Sequence, residues 1–231
     1  MDYSSSQAEQ APQTGTTIVA VSFDGGVVLG ADSRVSTGNY VSNRASDKIT
    51  CLADNVYMLR SGSAADTQAI ADYVRHYAHM HSIEEDRDPR VKAVAKLVSQ
   101  INYSNKNMLL GAMIVGGWDP ERGGQIYGVP IGGTLVEQAW TTDGSGSTYI
   151  WGYLDAAYRE GMSRQEAEEL VKTALALAMS RDGSSGGLAR LVTLTKAGAE
   201  RKLINHDDIP AFWDELEVLK TNGTASSMVV V

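Results

Sequence analysis

One cysteine, Cys51, stands among 231 residues, so no intrachain disulfide can form. That fits a reducing compartment such as cytosol or nucleus, and a chain this long buries a sufficient core without staples. No run of about 18 apolar residues occurs, which excludes a membrane-spanning helix. The opening MDYSSSQAEQAPQTG has neither a basic n-region nor an apolar h-region, so it is not a secretory signal. Positive charge is scarce: 20 Lys and Arg stand against 28 Asp and Glu, a formal net charge of −8. That balance argues against non-specific nucleic-acid binding. The glycine pairs at 25–26, 116–117, 123–124, 132–133 and 186–187 come with no P-loop lysine and no dinucleotide fingerprint, and they read as turns. No serine sits in a G-x-S-x-G elbow, and GSGS at 144–147 departs from that pattern. His76, His79 and His81 lie close together and His206 lies far away, without cysteine or a second ligand-bearing helix. They read as a solvated helix face; no metal, cofactor, nucleic acid or membrane partner is expected.

What is present is an ordinary soluble composition, 43% hydrophobic and 21% charged, without repeats or an interior linker. TTIVAVSF and GVVLGADS read as strands joined at Asp24-Gly25, a hairpin signal. A strand at 56–60 precedes a helix from SGSAAD, with Ala65, Ala69, Ala71 or Tyr73, and Val74 on its apolar period. Asp88-Pro89 reads as an N-cap followed by proline at the first helical position of a second helix. Strands are expected at 109–116, 125–130 and 134–141, the first two joined by DPERGG. A third helix starts from GSGSTYIWGY and stops at Gly161, and a fourth opens with a Ser163–Glu166 capping box. Strands near 188–195 and 199–204, a short helix around 209–217 and a loose tail complete the chain. Strands and helices in segregated runs predict an α+β domain, two antiparallel sheets with helices on both outer faces.

The nucleophile candidates need no histidine. In QTGTTIVAV a polar, patternless tail meets a strand, and two threonines sit at the junction. They could simply open a strand, since threonine is β-branched. They could also hide an N-terminus. A threonine hydroxyl is a weak nucleophile until a base takes its proton, whereas an α-amino group has a pKa of about 7.7–8.0. Were Met1–Gly15 removed, Thr16 would carry both its nucleophile and its base. Gly15 suits the bond to be cut, because it tolerates the bent backbone of an internal attack. Asp32, ending the second strand, and Lys48, before a later one, could sit beside Thr16 as a charge pair, or could be surface charges. Gly62 in RSGSAAD could offer its N–H to an oxyanion, a contact whose loss costs about 2.7–4 kcal/mol in the barrier, or could merely enter a helix. The hydroxyl-rich loops DGSGS (143–147) and RDGSSGG (181–187) could be caps and turns.

Taken in order, GTTIVAV, FDGGVVLGADSR, SGSAADTQAIAD, GGWDP, GSGSTYIWGY, YREGMS and RDGSSGG resemble the β-type subunits of the eukaryotic proteasome core particle, which are N-terminal-nucleophile hydrolases. The resemblance runs from Gly15 to about Ile209 and is nearest to the caspase-like type that cleaves after acidic residues. It implies a four-layer αββα sandwich and a propeptide, 1–15, cut off autolytically between Gly15 and Thr16. The hydrolase domain would span 16–217 and a tail 218–231. It implies Thr16 as nucleophile, Asp32 and Lys48 as its charge pair, and Gly62 as oxyanion donor. Ser145, Asp182 and Ser185 would form the network around the Thr16 amine. Arg60 would form the base of the pocket for the residue before the cut, a role that suits a permanently charged fork. Val35, Ser36, Ser46 and Ala64 would also line substrate. The partners implied are other α and β subunits in a four-ring barrel of seven-membered rings, with unfolded polypeptides as substrates, in cytoplasm and nucleus. Two departures stand out: Val35 replaces a usual threonine, making a pocket wall more apolar, and the tail runs past the usual end. The alternative is a non-catalytic structural subunit of the same ring. Such relatives typically lack the nucleophile or the lysine, and both are here. A non-proteolytic amidohydrolase of the same class fits less well with Arg60 and the full set of motifs.

Overall fold

The computed structural model describes residues 15–212. β1 (Ile18–Phe23) and β2 (Gly26–Asp32) form the hairpin signalled by Asp24-Gly25, with Ile18 opposite Ala31. β3 (Val35–Thr37) and β4 (Tyr40–Asn43) make a small hairpin of their own. β5 (Ile49–Ala53) and β6 (Val56–Gly62) lead into α1 (Ala64–Glu85) and α2 (Val91–Ser104). There follow β7 (Gly111–Asp119), β8 (Gly123–Val129), β9 (Val136–Glu137) and β10 (Trp140–Asp143). After a 3-10 turn at Ser145–Tyr149 come α3 (Trp151–Ala157), α4 (Arg164–Arg181), β11 (Ala189–Thr195) and β12 (Gly198–Ile204).

The strands assemble into two antiparallel five-stranded sheets, ordered β10-β1-β2-β11-β12 and β5-β6-β7-β8-β9. The period-two alternation of side chains explains how each sheet buries both faces. Ile18, Ala20, Val27 and Leu29 point between the sheets, where they meet Ile49, Leu59, Ile114 and Ile126. Their neighbours Val19, Val21 and Val28 point outward onto Val171, Ala174 and Leu175 of α4. On the far side Met58, Met113, Val115 and Tyr127 lie under Ile70 and Val74 of α1 and Val94 and Val98 of α2. Each fully buried Val, Leu, Ile or Met side chain among them contributes about 1.5–3 kcal/mol. The result is the four-layer αββα sandwich. No helix among the described residues is long and apolar enough to cross a membrane.

Several local expectations need correction. Asp88 does not cap α2: Arg90 is the N-cap, without a side-chain bond, and the helix begins at Val91. The cap comes instead from Asp119 at the end of β7, whose Oδ2 accepts the Val91 N–H at 3.1 Å. The buried face of α1 is Thr67, Ile70, Ala71, Val74 and Ala78, so Ala65, Ala69 and Tyr73 face outward. The run 134–141 is two strands in different sheets. Gln138 N–H donates to Ile126 of one sheet at 3.0 Å, and Ala139 C=O accepts from Ser22 of the other at 2.8 Å. The third helix ends at Ala157, before Gly161, and Tyr158 is already extended. Its start is a 3-10 turn because Gly146 N–H is drawn to the Thr16 carbonyl at 3.1 Å. The capping box of α4 is present, with Ser163 accepting from Glu166 N–H and Glu166 accepting from Ser163 N–H at 2.9 Å. The last short helix, expected around 209–217, is not seen over 209–212, and a 3-10 turn at His206–Asp208 precedes that stretch; 213–217 and the tail 218–231 lie outside the described residues, as do residues 1–14 of the proposed propeptide.

Candidate active site

β1 and β2 bring Thr16 and Asp32 to the same end of one sheet, because their register sets Ile18 opposite Ala31. The Asp32 N–H donates to the Thr17 carbonyl at 3.1 Å, continuing the ladder to the site. Gly15 is still joined to Thr16 in this chain. It passes so close to Ser184 that a Cβ would overlap the Ser184 side chain, which accounts for glycine there. The Thr16 hydroxyl donates to the Gly15 carbonyl at 2.7 Å, so it lies against the bond that would be cut.

Asp32 is fully buried and every oxygen is engaged. Oδ1 accepts from Lys48 Nζ at 2.7 Å and from Thr17 N–H at 2.9 Å. Oδ2 accepts from Gly186 N–H at 3.0 Å and Arg34 N–H at 3.1 Å. Four donors on one carboxylate fix its position and orientation. Lys48, from the segment leading into β5, is almost as deeply buried, its side chain 7% exposed. Besides Asp32 it reaches Thr16 Oγ1 at 3.1 Å and the Gly15 carbonyl at 3.2 Å. Burial lowers the Lys48 pKa below the ordinary lysine value, and the charge and hydrogen bond of Asp32 oppose that shift.

The two hydroxyl-rich loops close the other side. Thr16 N–H donates to Ser145 Oγ at 3.1 Å, and the Ser145 hydroxyl donates to Asp182 Oδ2 at 2.7 Å. Ser185 Oγ donates to the same Asp182 oxygen at 2.6 Å and contacts Thr17 Oγ1 at 2.7 Å. Because Ser185 spends its proton on Asp182, the Thr17 hydroxyl is the donor in that last contact.

A small cavity opens beside Thr16 and Lys48, walled by Val35, Ser46, Arg60, Gly62, Ala64 and Thr67. Gly62 has φ of 96°, where a side chain would be strained and would press on the Leu110 carbonyl. The Arg60 guanidinium donates to the carbonyls of Asp47 at 3.2 Å and Ala64 at 3.4 Å, while its buried Nε–H has no protein acceptor among the described residues. Burial lowers the Arg60 pKa, and the charge of Asp47 opposes it.

Thr16, Asp32, Lys48, Ser145, Asp182 and Ser185 therefore form one hydrogen-bonded cluster. Val35, Ser46, Arg60, Gly62 and Ala64 share the cavity with Thr16. Ser36 does not wall it; the residue is buried within the β3–β4 hairpin. Thr17 carries more than a strand start, since its N–H and hydroxyl reach Asp32 and Ser185. A threonine opening a strand looks the same in sequence whichever way its hydroxyl turns. Arg34 and Gly186 act through backbone N–H groups, and Thr67 enters from the first turn of α1, so neither side-chain chemistry nor spacing marks them. The three clustered histidines lie exposed along α1, where His76 makes an edge contact with Tyr77.

The family profile described as "Proteasome subunit" matches residues 12–194. A "Proteasome subunit beta type-6" of Arabidopsis thaliana is 53% identical over 203 residues, covering 88% of this chain and 87% of that protein. The beta type-6 subunit of Dictyostelium discoideum is 50% identical over 206 residues, 89% of this chain and 96% of its own length. A human "Proteasome subunit beta type-9" is also 50% identical, over 87% of this chain and 92% of that protein. At this identity and coverage, the chain belongs to the proteasome subunit family, among its beta-type members.

Proposed function

We propose that Thr16, released by loss of residues 1–15, is the nucleophile of a threonine endopeptidase that cuts unfolded polypeptides after acidic residues. The observation that carries the reading is Lys48 Nζ, 3.1 Å from Thr16 Oγ1 and 2.7 Å from the buried Asp32. A lysine is brought into a dry site at the cost of desolvation, and it points at a hydroxyl. Its positive charge favours the alkoxide character that a threonine needs to attack.

The chemistry follows in two stages. In the joined chain Thr16 Oγ attacks the Gly15 carbonyl carbon, the C–N bond breaks, and the Oγ proton ends on the departing Thr16 nitrogen, so the acyl group moves from nitrogen to oxygen. The Thr16 nitrogen is an amide at that point and is not basic. Lys48, its pKa lowered by burial, is the titratable nitrogen at hand, and it also contacts the Gly15 oxygen. Water then hydrolyses the ester, leaving Thr16 with a free amine held by Ser145 and, through it, Asp182. In turnover that amine takes the Oγ proton, directly or through one water, as Oγ attacks the substrate carbonyl. Gly62 N–H is the oxyanion donor. The C–N bond breaks with protonation of the leaving amine, and a second water, activated by the Thr16 amine, releases the acyl product.

The acidic preference rests on Arg60, a guanidinium in the Thr16 cavity whose buried Nε–H has no protein acceptor among the described residues. Val35 makes one wall of that cavity apolar. The chain assembles with other proteasome subunits; we place it in a heteromeric four-ring barrel of seven-membered rings, active in cytoplasm and nucleus. The test is to assay particles carrying Arg60→Met on peptides differing only at the residue before the cut. Post-acidic cleavage should fall by about tenfold or more in kcat/KM, the value of a lost charge-assisted contact, while cleavage after apolar residues rises. An unchanged preference would remove Arg60 from the pocket.

A further inference from the structure

Arg60 does not stand alone. Its Nη2 donates to the backbone carbonyl of Asp47 at 3.2 Å, so the residue that orients Arg60 also carries a carboxylate. A carboxylate so placed is a natural rival for the guanidinium. It is held elsewhere: Asp47 Oδ2 accepts from Arg201 Nη1 at 2.6 Å, and Oδ1 accepts from Ile49 N–H at 3.0 Å. Arg201 lies on β12, the edge of the other sheet, and its second arm donates to the Ile49 carbonyl at 2.8 Å. Its guanidinium also sits 5.5 Å over the Tyr57 ring, which fixes its plane. The fork thus clamps residues 47–49 from outside, with Lys48 in the middle of the clamped segment. Arg60 N–H donates to the Lys48 carbonyl at 3.1 Å, so the segment touches pocket and catalytic lysine at once.

The geometry points to Arg201 as a positioning residue for the acidic pocket: it binds and neutralises the Asp47 carboxylate, so that the Arg60 charge is presented to substrate. This rests on the reading of Arg60 as the pocket residue. Without Arg201, Asp47 keeps its bond to Ile49 but is an unpaired negative charge beside the pocket. It then repels an incoming carboxylate and competes for the guanidinium. Asp47 is 42% and Arg201 45% exposed, so screening keeps the effect moderate.

Particles carrying Arg201→Met should show KM for a post-acidic peptide raised about fivefold, kcat within about twofold, and little change for a peptide with an apolar residue before the cut. Adding Asp47→Asn to Arg201→Met removes the rival charge and should restore the acidic KM to within about twofold of the unmodified particle. Arg201→Lys, which keeps the charge, should stay near the unmodified value. Equal losses on both peptides, or no rescue by Asp47→Asn, would assign Arg201 a purely structural role and overturn the inference. The Arg60→Met particle separates the two readings. If it keeps its acidic preference, the pocket assignment fails; if it loses the preference while Arg201→Met changes nothing, only the role of Arg201 fails.

Discussion

Particles assembled with Thr16→Ala should lose post-acidic hydrolysis by roughly 10⁴-fold or more, the scale seen when a covalent nucleophile is removed. The effect is large because two functions leave with one oxygen. Thr16 Oγ1 lies 2.7 Å from the Gly15 carbonyl oxygen and 3.1 Å from Lys48 Nζ, so under the proposed function it would serve both release of the N-terminus and turnover. The variant chain should accordingly retain its first fifteen residues. A Thr16→Ala chain supplied without residues 1–15 separates the functions: it has the free amine but no nucleophile, and it should remain inactive. Assembly should be largely preserved, since the Thr16 N–H and carbonyl bonds to Ser145 and Gly146 involve only backbone atoms of Thr16. Peptide hydrolysis by particles of each kind is the measurement, and substantial activity in either would displace Thr16 as nucleophile. The same result would favour a structural role for this subunit within the ring.

The second large effect concerns the buried pair. Asp32→Asn should abolish activity and destabilise the chain by about 3–5 kcal/mol, the range for breaking a buried ion pair. Asparagine is the harsher partner to leave behind. Both Asp32 oxygens accept two N–H groups each, so the amide NH2 would face donors wherever it turned. Lys48→Met should abolish activity equally but cost less stability, because the Asp32 carboxylate keeps its three backbone donors. The readouts are the fraction of each variant incorporated into particles and the melting temperature of those particles. The order matters more than the size: if Lys48→Met proved the more disruptive to assembly, the hydrogen-bond account of Asp32 would be wrong. If either variant kept normal turnover, the pair would have no part in activating Thr16.

Features set by short stretches of chain were the legible ones. The Asp24-Gly25 turn with flanking β-branched runs gives β1 and β2, and Ser163 with Glu166 gives the start of α4. Features supplied from a distance left no local mark. The N-terminus of α2 is capped by Asp119, twenty-eight positions away in sequence, so the nearer Asp88-Pro89 looked like the start. The passage from β9 to β10 changes sheets at Gln138 and Ala139, yet reads as one strand because no glycine or proline interrupts TLVEQAWT. In α1 the small alanines fit either face, and only the neighbouring sheet decides that Ile70 and Val74 turn inward. At the site, Thr16, Asp32, Lys48 and Gly62 were open to chemical reasoning from residue type and position. Ser145, Asp182 and Ser185 came through the family resemblance, because hydroxyl-rich turns are common and nothing local distinguishes a catalytic one. Backbone donors such as Arg34 and Gly186, and the clamp from Arg201 to Asp47, depend on strands far apart in the chain meeting at one corner.

To act as proposed, Thr16 must become an N-terminus. The most direct measurement is the intact mass of this subunit taken from assembled particles. The subunit should begin at Thr16, lighter by the mass of Met1–Gly15 and carrying a free α-amino group. A chain in the mature particle that still holds Gly15 joined to Thr16 would contradict the proposed function.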